Sequence, residues 1–344
     1  MSKIDVPSKN LVRQAGNALI ERKSSLTESE ARDVLSRWRA AHVYPINTLQ
    51  AYLRSTLKRN KFKDAIVAQR LKRSPSIIEK LKRFESMALD RMQDIGGLRV
   101  IVWSIEDVYR LHSLMTSSER FIHQLKLPPN DYIAQPKKDG YRSLHQVLSY
   151  RNDTHEELNN LNLEIQIRTR LQHSWATAVE TLGMIQKSSI KTGQGDELTK
   201  EFFRTVSALF AQEEGSPLPP GLENMSKEDL IKRLKEIDAE KRILAQLEGV
   251  AVSAHHIETV MKNYKGFHVL QLFIAERQVR LTPFFEPQDA EIFYKAKEIE
   301  TKDNPNSAVV LMSAGALKDI KKAYPNYFLD TKAFLQNIQA IIAP

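Results

Sequence analysis

The 344-residue sequence contains no cysteine. Disulfides and thiolate zinc sites are therefore excluded, and a reducing compartment is favoured. No apolar run reaches the roughly 20 residues that a membrane span needs, and the first residues lack the apolar stretch of a signal peptide. Hydrophobic residues make up 42% and charged residues 27% of the chain, as in globular proteins. We therefore expect a cytoplasmic protein that does not interact with membranes.

Acidic residues are scarce between residues 51 and 83, where Asp64 and Glu79 oppose eleven basic residues. The basic residues are Arg54, Lys58, Arg59, Lys61, Lys63, Arg70, Lys72, Arg73, Lys80, Lys82 and Arg83. Eleven positive charges less two negative ones give +9, which equals the net charge of the whole chain. Such a segment is either a solvated helical face or a surface that holds polyphosphate or RNA.

The order of patterns predicts an α/β (α+β) fold with a small mixed β-sheet flanked by helices. Residues 98–104 form a β-branched run after a glycine and predict a buried strand. Residues 142–151 and 161–169 predict two more strands. Predicted helices precede, separate and follow these strands, and the one at residues 27–42 begins at Thr27 with acidic residues in its first turn.

A proline- and glycine-rich stretch at residues 213–226 predicts a linker, because it cannot form a helix. Beyond it, helical and strand patterns begin again, with a predicted hairpin. The sequence therefore predicts a first domain over residues 1–212, the linker, and a smaller α+β domain over residues 227–344.

The first motif that could carry chemistry is RLKRSPSIIEK, which contains Arg70, Lys72, Ser76 and Lys80. Ser76 and Lys80 are four residues apart and share a helical face, while Arg70 and Lys72 precede the helix. Cations beside a helix N-terminus suit a phosphate, and arginine can stack on a purine. An ordinary basic helix would have the same composition.

Two carboxylates form the second pattern. Asp94 lies just before a glycine pair and a strand, and Glu164 shares a strand face with Gln166 and Arg168. Mg²⁺ usually takes one or two carboxylates and completes its shell with phosphate oxygens and water. Alternatively, Asp94 caps a turn and Glu164 pairs with Arg168.

The segment PKKDGYRSLH supplies Lys137, Lys138, Tyr141 and His145. On a strand, Tyr141 and His145 would share a face. An aromatic ring can stack on a base, and the cations could neutralise phosphate charge in a transition state. Core packing of the ring and the imidazole is the alternative.

Four motifs occur in order over about residues 40–205, namely R-x-K-x-x-x-S-x-x-x-K, D-x-x-G-x-R, G-Y-x-S-x-H and E-I-Q-I-R-T. Together they resemble the synthetase domain of the RelA/SpoT family. The resemblance implies ATP binding by Arg70, Lys72, Ser76, Lys80 and Arg99. It implies Mg²⁺ at Asp94 and Glu164, with Glu164 also placed to activate the acceptor hydroxyl. The acceptor would be bound by Lys137, Lys138, Tyr141, His145, Gln166 and Arg168.

The implied reaction is Mg²⁺-dependent transfer of the β,γ-pyrophosphate of ATP to a ribose 3′-hydroxyl. The acceptor is either the 3′-terminal adenosine of tRNA or GTP/GDP, which would give the alarmone (p)ppGpp. The basic segment exceeds what one ATP needs, so tRNA is the favoured expectation. A catalytically inactive nucleotide- or RNA-binding regulator is a further alternative, although both carboxylates are present.

The C-terminal region resembles the antitoxin-like domain of CapRel-type fused toxin–antitoxin proteins. This resemblance implies an autoinhibited toxin of phage defence that a phage capsid protein triggers. Its residue-level basis is Y-x-x-Y at Tyr324 and Tyr327. Without cysteine the zinc-finger-like part would be metal-free, and His255, His256 and His268 lack the spacing of zinc ligands.

Overall fold

The structure is a computed structural model that describes residues 4–188, 197–249, 266–273, 278–301, 304, 307–313 and 327–343. Contacts divide the chain into two compact units. The first contains residues 1–133 and 143–170, and the second contains residues 134–142 and 171–344. The second unit thus takes one short loop from the middle of the first unit's sequence.

Helices at the start of the first unit are α1 (Lys9–Ala18), α2 (Glu28–Ala41) and α3 (Val43–Arg59). Thr27 caps α2 in a capping box, because its side chain accepts from the Glu30 amide and Glu30 accepts from the Thr27 amide. The unit continues with α4 (Ser74–Arg83) and α5 (Ile105–Thr116). Short 3₁₀ turns lie at Leu89–Arg91 and Glu156–Leu158.

Five strands form the sheet of this unit, namely β1 (Ile66–Leu71), β2 (Gly96–Val102), β3 (Gln124–Asp131), β4 (Leu144–Ser149) and β5 (Asn162–Thr169). Their order is β1-β2-β5-β4-β3. Only β2 and β5 are parallel among these neighbours, and the other three pairs are antiparallel. The predicted mixed sheet is therefore confirmed.

The register of the two central strands fixes which side chains share a face. Gly97 lies opposite Glu164 and Arg99 lies opposite Gln166. Since side chains alternate along a strand, these residues lie on one face, and Leu98 and Ile165 lie on the other. The latter face is apolar and packs in one hydrophobic core with side chains of the surrounding helices, among them Leu49, Leu53, Ile77, Val108 and Leu111.

Helices dominate the second unit, where α6 (Arg170–Ser188) begins at the unit boundary and is followed by α7 (Glu197–Glu213) and α8 (Lys227–Lys241). Residues 243–249 are also helical. Next come α9 (Pro287–Thr301) and α10 (Tyr327–Ile342). One core joins Trp175 of α6, Phe202 and Phe210 of α7, and Phe334 of α10.

A three-stranded antiparallel sheet completes this unit, with β6 (Phe267–Phe273), β7 (Gln278–Phe284) and β8 (Ser307–Ser313). The order is β7-β6-β8. The predicted hairpin corresponds to β6 and β7, and a small core under the sheet contains Val269, Ala290 and Leu311.

The compact units divide the chain at other positions than the predicted boundary at residue 212. Helix α7 crosses that position and shares a core with α6, α8 and α10. Residues 216–219, within the predicted linker, have no helix or strand, and α8 starts at Lys227. Within the described residues, no helix is long and apolar enough to cross a membrane.

Candidate active site

The two carboxylates identified in the sequence lie at neighbouring strands. Asp94 follows the 3₁₀ turn at Leu89–Arg91 and precedes β2 by one residue, whereas Glu164 is the third residue of β5. Gly97, which pairs with Glu164, has no side chain between the strands. The negative charge of Asp94 also acts on Glu164 and works to raise its pKa. The fold therefore brings the pair into one polar site.

Two lysines hold the Asp94 carboxylate. Lys72 Nζ lies 2.7 Å from Asp94 Oδ2, and Lys80 Nζ lies 2.9 Å from Asp94 Oδ1. Burial works to raise the pKa of Asp94, but the hydrogen bonds and charges of both lysines outweigh it and lower that pKa. Asp94 is therefore a carboxylate at neutral pH, with one cation on each oxygen.

Glu164 is held by different groups. His145 Nδ1 lies 2.9 Å from Glu164 Oε1, and Gln166 Nε2 donates to Glu164 Oε2 at 2.7 Å. Burial again works to raise the pKa, and the hydrogen bonds from His145 and Gln166 reverse the sign, so the pKa of Glu164 is lowered. The ring of Tyr132 stands edge-on to His145 with centroids 5.2 Å apart.

The remaining cations of this face come from β1 and β2. Arg70 Nη1 donates to Gln166 Oε1 at 3.3 Å, which links β1 to the side chain that also holds Glu164. Arg99 is buried on β2 and lies beside Gln166 in the register. Arg70 lies beside Gly97 in the same way. Two guanidinium groups thus flank the pair of carboxylates.

Gly97 allows the close approach of β2 to β5. A Cβ atom at Gly97 would overlap the carbonyl oxygen of Glu164, which no side chain could tolerate without moving a strand. The absence of a side chain also leaves space between Arg70 and Glu164. Glycine is therefore required here for packing rather than for an unusual backbone angle.

Backbone contacts fix the position of Lys72. Its amide donates to the Ile95 carbonyl at 2.8 Å, and its carbonyl accepts from Arg39 Nε at 2.9 Å. Ser76 lies in the first turn of α4 and is exposed. The segment from Arg70 to Lys80 thus runs from β1 into α4, which agrees with the prediction that Arg70 and Lys72 precede the helix.

Lys137, Lys138 and Tyr141 lie in the loop that belongs to the second unit. Lys137 Nζ stands 5.1 Å from the centroid of the Tyr141 ring. The prediction that Tyr141 shares a strand face with His145 is wrong, because β4 begins only at Leu144. Instead, the Tyr141 amide donates to Asp139 Oδ1 at 3.0 Å in a local turn.

The same loop is fixed within the second unit by Gly140 and Arg142. Gly140 has a φ of +90°, and a Cβ there would lie 2.9 Å from Cβ of Ser207. The Ser207 hydroxyl donates to the Gly140 carbonyl. Arg142 is buried and its Nη1 lies 2.7 Å from Glu214 Oε2, a pair that no sequence motif predicts. The loop that carries Tyr141 is therefore rigidly supported.

The structure brings together a set of predicted residues on one face of the first unit, namely Arg70, Lys72, Lys80, Asp94, Arg99, His145, Glu164 and Gln166. Arg168 follows on the same face of β5 and is fully buried. Tyr324, His255 and His256 lie outside the described residues, and Tyr327 is the first residue of α10. The motifs included Gly97 without assigning it a role in strand packing, and they did not include Tyr132.

A divalent cation would have two oxygen ligands from the protein at this site. Among the described residues, no group of three or more histidine and acidic side chains could hold a metal. Asp94 and Glu164 are both ionised and close enough for their charges to interact. Two carboxylates are what Mg²⁺ uses when a substrate supplies further oxygens.

Comparison with known proteins places this site in a family context. Residues 69–185 match the family model described as "Region found in RelA / SpoT proteins". The GTP pyrophosphokinase YjbM of Bacillus subtilis is 35% identical over 119 residues, which are 34% of this chain and 54% of that protein. The GTP pyrophosphokinase YwaC of the same organism is 32% identical over 114 residues, which are 31% of this chain and 52% of that protein.

Among solved structures, the small alarmone synthetase 1 from Bacillus subtilis, bound to its product pppGpp, matches with a TM-score of 0.45 and 26% identity. That match covers 52% of this chain and 92% of the other. The chain matches only about half the length of the curated relatives YjbM and YwaC. Residues 69–185, which contain the carboxylates and their cations, are the part of this chain that matches the region found in RelA / SpoT proteins.

Proposed function

We propose that this protein transfers the β,γ-pyrophosphate of ATP to a ribose 3′-hydroxyl. The observation that carries the proposal is the pair of ionised carboxylates on neighbouring strands, with lysines and arginines on the same side. Such a site holds a cation and a polyphosphate together, which is the main requirement of phosphoryl-group transfer. The curated relatives named GTP pyrophosphokinase support the same reaction class.

In the proposed step, the acceptor 3′-oxygen attacks the β-phosphorus of ATP. The bond between that phosphorus and the oxygen bridging to the α-phosphate breaks, and AMP leaves. Glu164 orients the hydroxyl and accepts its proton, which then passes to solvent. Because its pKa is lowered, Glu164 is a weak base, and its main contribution is orientation. His145 holds the carboxylate in place through Nδ1.

The lysines at Asp94 give the site a way to respond to ATP. In the structure, Lys72 and Lys80 both form salt bridges with the Asp94 carboxylate. A triphosphate offers more negative charge to the same ammonium groups, so its arrival transfers Lys72 and Lys80 from Asp94 to phosphate oxygens. The Asp94 oxygens then become available to a metal ion. Arg70 and Arg99 would stack on or pair with the nucleotide.

Magnesium fits this exchange. Asp94 and Glu164 would hold Mg²⁺ through hard oxygen ligands, and ATP phosphates and water would complete its shell. When bound, the ion neutralises charge that develops on the transferred phosphates. Before ATP binds, the chain itself keeps both carboxylates ionised, since the pKa values of Asp94 and Glu164 are lowered.

For the acceptor we propose the 3′-terminal adenosine of tRNA, with GTP or GDP as the second candidate. The net charge of +9 between residues 51 and 83 favours RNA, because a long anionic partner uses cations that a single nucleotide cannot reach. The names of the curated relatives favour a guanine nucleotide. Tyr141, with Lys137 over its ring, would stack on the acceptor base in either case.

The acceptor is identified by resolving the products of ATP that is labelled in its γ-phosphate. The full chain is incubated with Mg²⁺ and either deacylated tRNA or GDP and GTP. Label at the RNA 3′ end, released by removal of the terminal adenosine, supports the proposal. Label only in a guanine nucleotide would replace tRNA by the second candidate. No label in any acceptor, together with no AMP, from both the full chain and its Tyr324→Ala, Tyr327→Ala variant would contradict the reaction itself.

A toxic product would require restraint, and we propose that the C-terminal region provides it through Tyr324 and Tyr327. The test is the double substitution Tyr324→Ala with Tyr327→Ala in the full chain. Truncation after residue 212 is unsuitable, because Phe202 and Phe210 share their core with Phe334. Growth arrest on expression of the double variant, which disappears when Asp94→Ala is added, is expected. Harmless expression of a folded double variant would contradict the restraint, and a phage capsid protein as trigger would then have no basis.

A further inference from the structure

An exposed tryptophan lies between two cations at the far end of β2. Trp103 is 56% exposed, Arg170 Cζ lies 4.8 Å from its ring centroid, and Lys63 Nζ lies 5.7 Å from it. A third cation, Arg110, lies over the ring of Phe62 in the loop before β1, with its Cζ 4.6 Å from the ring centroid. Large exposed aromatics beside cations are typical of surfaces that bind nucleic acid strands.

The loop at residues 60–64, between α3 and β1, is tied down at both ends. Arg110 Nη2 donates to the carbonyl of Asn60 at 2.8 Å, and Arg170 Nη2 donates to the carbonyl of Asp64 at 3.0 Å. Within it, the Lys61 amide donates to the Lys58 carbonyl, and the Phe62 amide donates to the Leu57 carbonyl, as in a Schellman motif. The cations of the loop are therefore presented in a fixed arrangement.

Lys61 places a charged residue where glycine would adopt the backbone conformation more easily. Lys61 has a φ of +56°, in the left-handed region that glycine adopts without strain at the end of a helix. A residue with a side chain is less stable there by about 1 kcal/mol. Asp64, in the same loop, has a φ of +47°. Strain of this kind collects at binding sites.

This surface lies just beyond the ends of the two strands that carry the polar site. Trp103 directly follows β2, which contains Gly97 and Arg99. Arg170 directly follows β5, which contains Glu164 and Gln166. At about 3.3 Å per residue, Trp103 lies about 20 Å along the strand from Gly97.

We propose that the Trp103 surface, formed by Lys61, Lys63, Trp103 and Arg170, binds the acceptor RNA at a distance from its reacting 3′ end. This inference rests on the proposed function with an RNA acceptor. At about 3.4 Å per nucleotide of a strand, the distance of about 20 Å corresponds to about six nucleotides. In this proposal Lys61, Lys63 and Arg170 contact phosphates, and Trp103 stacks on a base.

A single nucleotide cannot reach both places. The proposal therefore separates two parts of acceptor binding, one at the carboxylates and one at the Trp103 surface. Substitutions at the Trp103 surface should weaken RNA binding and leave the KM for ATP and the KM for GDP unchanged. A residue that merely supports the fold would change all three.

The test measures binding of fluorescent deacylated tRNA to the full chain by anisotropy at several salt concentrations. Trp103→Ala should weaken binding by about 10-fold through lost stacking, and Trp103→Phe should restore most of it. Lys63→Ala and Lys61→Gly should each lower the slope of log K against log salt by about one. Lys9→Ala, an exposed lysine at the start of α1, is the matched control and should change nothing.

Fragment length tests the distance. An RNA 3′ fragment of about four nucleotides should bind wild type and Trp103→Ala equally, whereas one of about twelve should distinguish them. Equal binding of tRNA by wild type and all surface variants would overturn the inference and leave the proposed reaction intact. Absence of RNA binding by wild type would overturn it too and leave GDP and GTP as acceptors. Binding of anionic phospholipid vesicles that is lost in the same variants would assign the surface to a membrane instead.

Discussion

The two faces of the five-stranded sheet are built from the same strands and do different work. On one face, Leu98, Val100 and Ile165 are buried against helices in a core without charge. On the other, Glu164, Gln166 and Arg99 come from alternate positions of the same β2 and β5. Burial of apolar side chains stabilises the fold on one face, whereas the other face holds charged groups that their hydrogen-bonding partners keep ionised.

Burying the carboxylates of the polar face would cost free energy if their hydrogen-bonding partners were absent. A buried carboxylate loses its hydration, and only the lysines at Asp94 and the His145 and Gln166 donors at Glu164 keep both ionised. On the apolar face no such compensation is needed, since burial itself is favourable. Substitutions should therefore separate activity from stability according to the face that they change.

The largest effect is expected from Asp94→Asn, which removes one of the two negative charges of the polar face. Pyrophosphate transfer should fall by about 1,000-fold or more, because charge stabilisation of several kcal/mol is lost. Steady-state release of AMP measures the effect. Asp90→Asn is the matched control, since Asp90 is also buried and paired, with Arg13 Nη2 2.7 Å from its Oδ2. Equal losses in both variants would contradict a special role of Asp94.

The next effect concerns the apolar face. Ile165 lies between Glu164 and Gln166 in the sequence and is fully buried on the other side of β5. Ile165→Ala should lower the free energy of unfolding by about 2–5 kcal/mol through the cavity that it leaves. Chemical denaturation measures this loss, and the variant that remains folded should keep its kcat. A large loss of kcat with unchanged stability would contradict the division between the faces.

A third effect is a pH dependence of stability on the apolar side. His42 packs where a Cβ of Gly96 would lie, and burial lowers its pKa to about 4 from 6.5, against its hydrogen bond to the Trp38 carbonyl. The unfolded chain then binds a proton first as pH falls. The contribution of neutral His42 to the free energy of unfolding is fully present above about pH 6.5. It is lost as the pH falls towards 4, and the total loss is about 3 kcal/mol.

Urea unfolding at a series of pH values measures this dependence. His123, whose pKa burial also lowers to about 4, contributes a slope of the same sign. His42→Gln should therefore reduce the slope between pH 6.5 and 4 without removing it. An unchanged slope in that variant would show that His42 does not remain neutral in the folded protein.

The smallest effect is expected where the central strands β2 and β5 approach each other at Gly97. Gly97→Ala should destabilise the first unit by about 1–3 kcal/mol, because its methyl group would overlap the Glu164 carbonyl oxygen. It should also lower kcat by moving Glu164. Gly183→Ala in α6 is the matched control, since no atom lies within 4 Å of a Cβ there, and it should be neutral or slightly stabilising. Thermal unfolding of both variants measures the difference.

The sequence predicted the central part of the site because its signals are local. β2 and β5 have strong alternation or β-branched runs, and the carboxylates lie in or beside them. β1 was missed because its short apolar run lies within a basic segment. β3 was missed because Pro128 and Pro129 argue against a strand, and its pairing with β4 is irregular between Lys126 and Asn130.

Side-chain partners were less predictable than positions. Nothing in the local pattern connects Asp94 to Lys72 or Lys80, and the pairing arises only when β1, α4 and β2 are assembled. Likewise, the buried pair of Arg142 with Glu214 joins residues that are distant in sequence. The strand predicted for Tyr141 began too early, because the glycine turn at Gly140 belongs to a loop held by α7.

The central claim is that the carboxylates of the polar face carry out pyrophosphate transfer. Its most direct test measures AMP and labelled acceptor together, with ATP labelled in its γ-phosphate, Mg²⁺ and the full chain. The Tyr324→Ala, Tyr327→Ala chain, which lacks the proposed restraint, should form both products in equal amounts, and adding Glu164→Gln should abolish both without changing the unfolding temperature. Comparable product formation by the folded chain with Glu164→Gln added, or AMP without labelled acceptor in the unrestrained chain, would contradict the proposed role of the carboxylates.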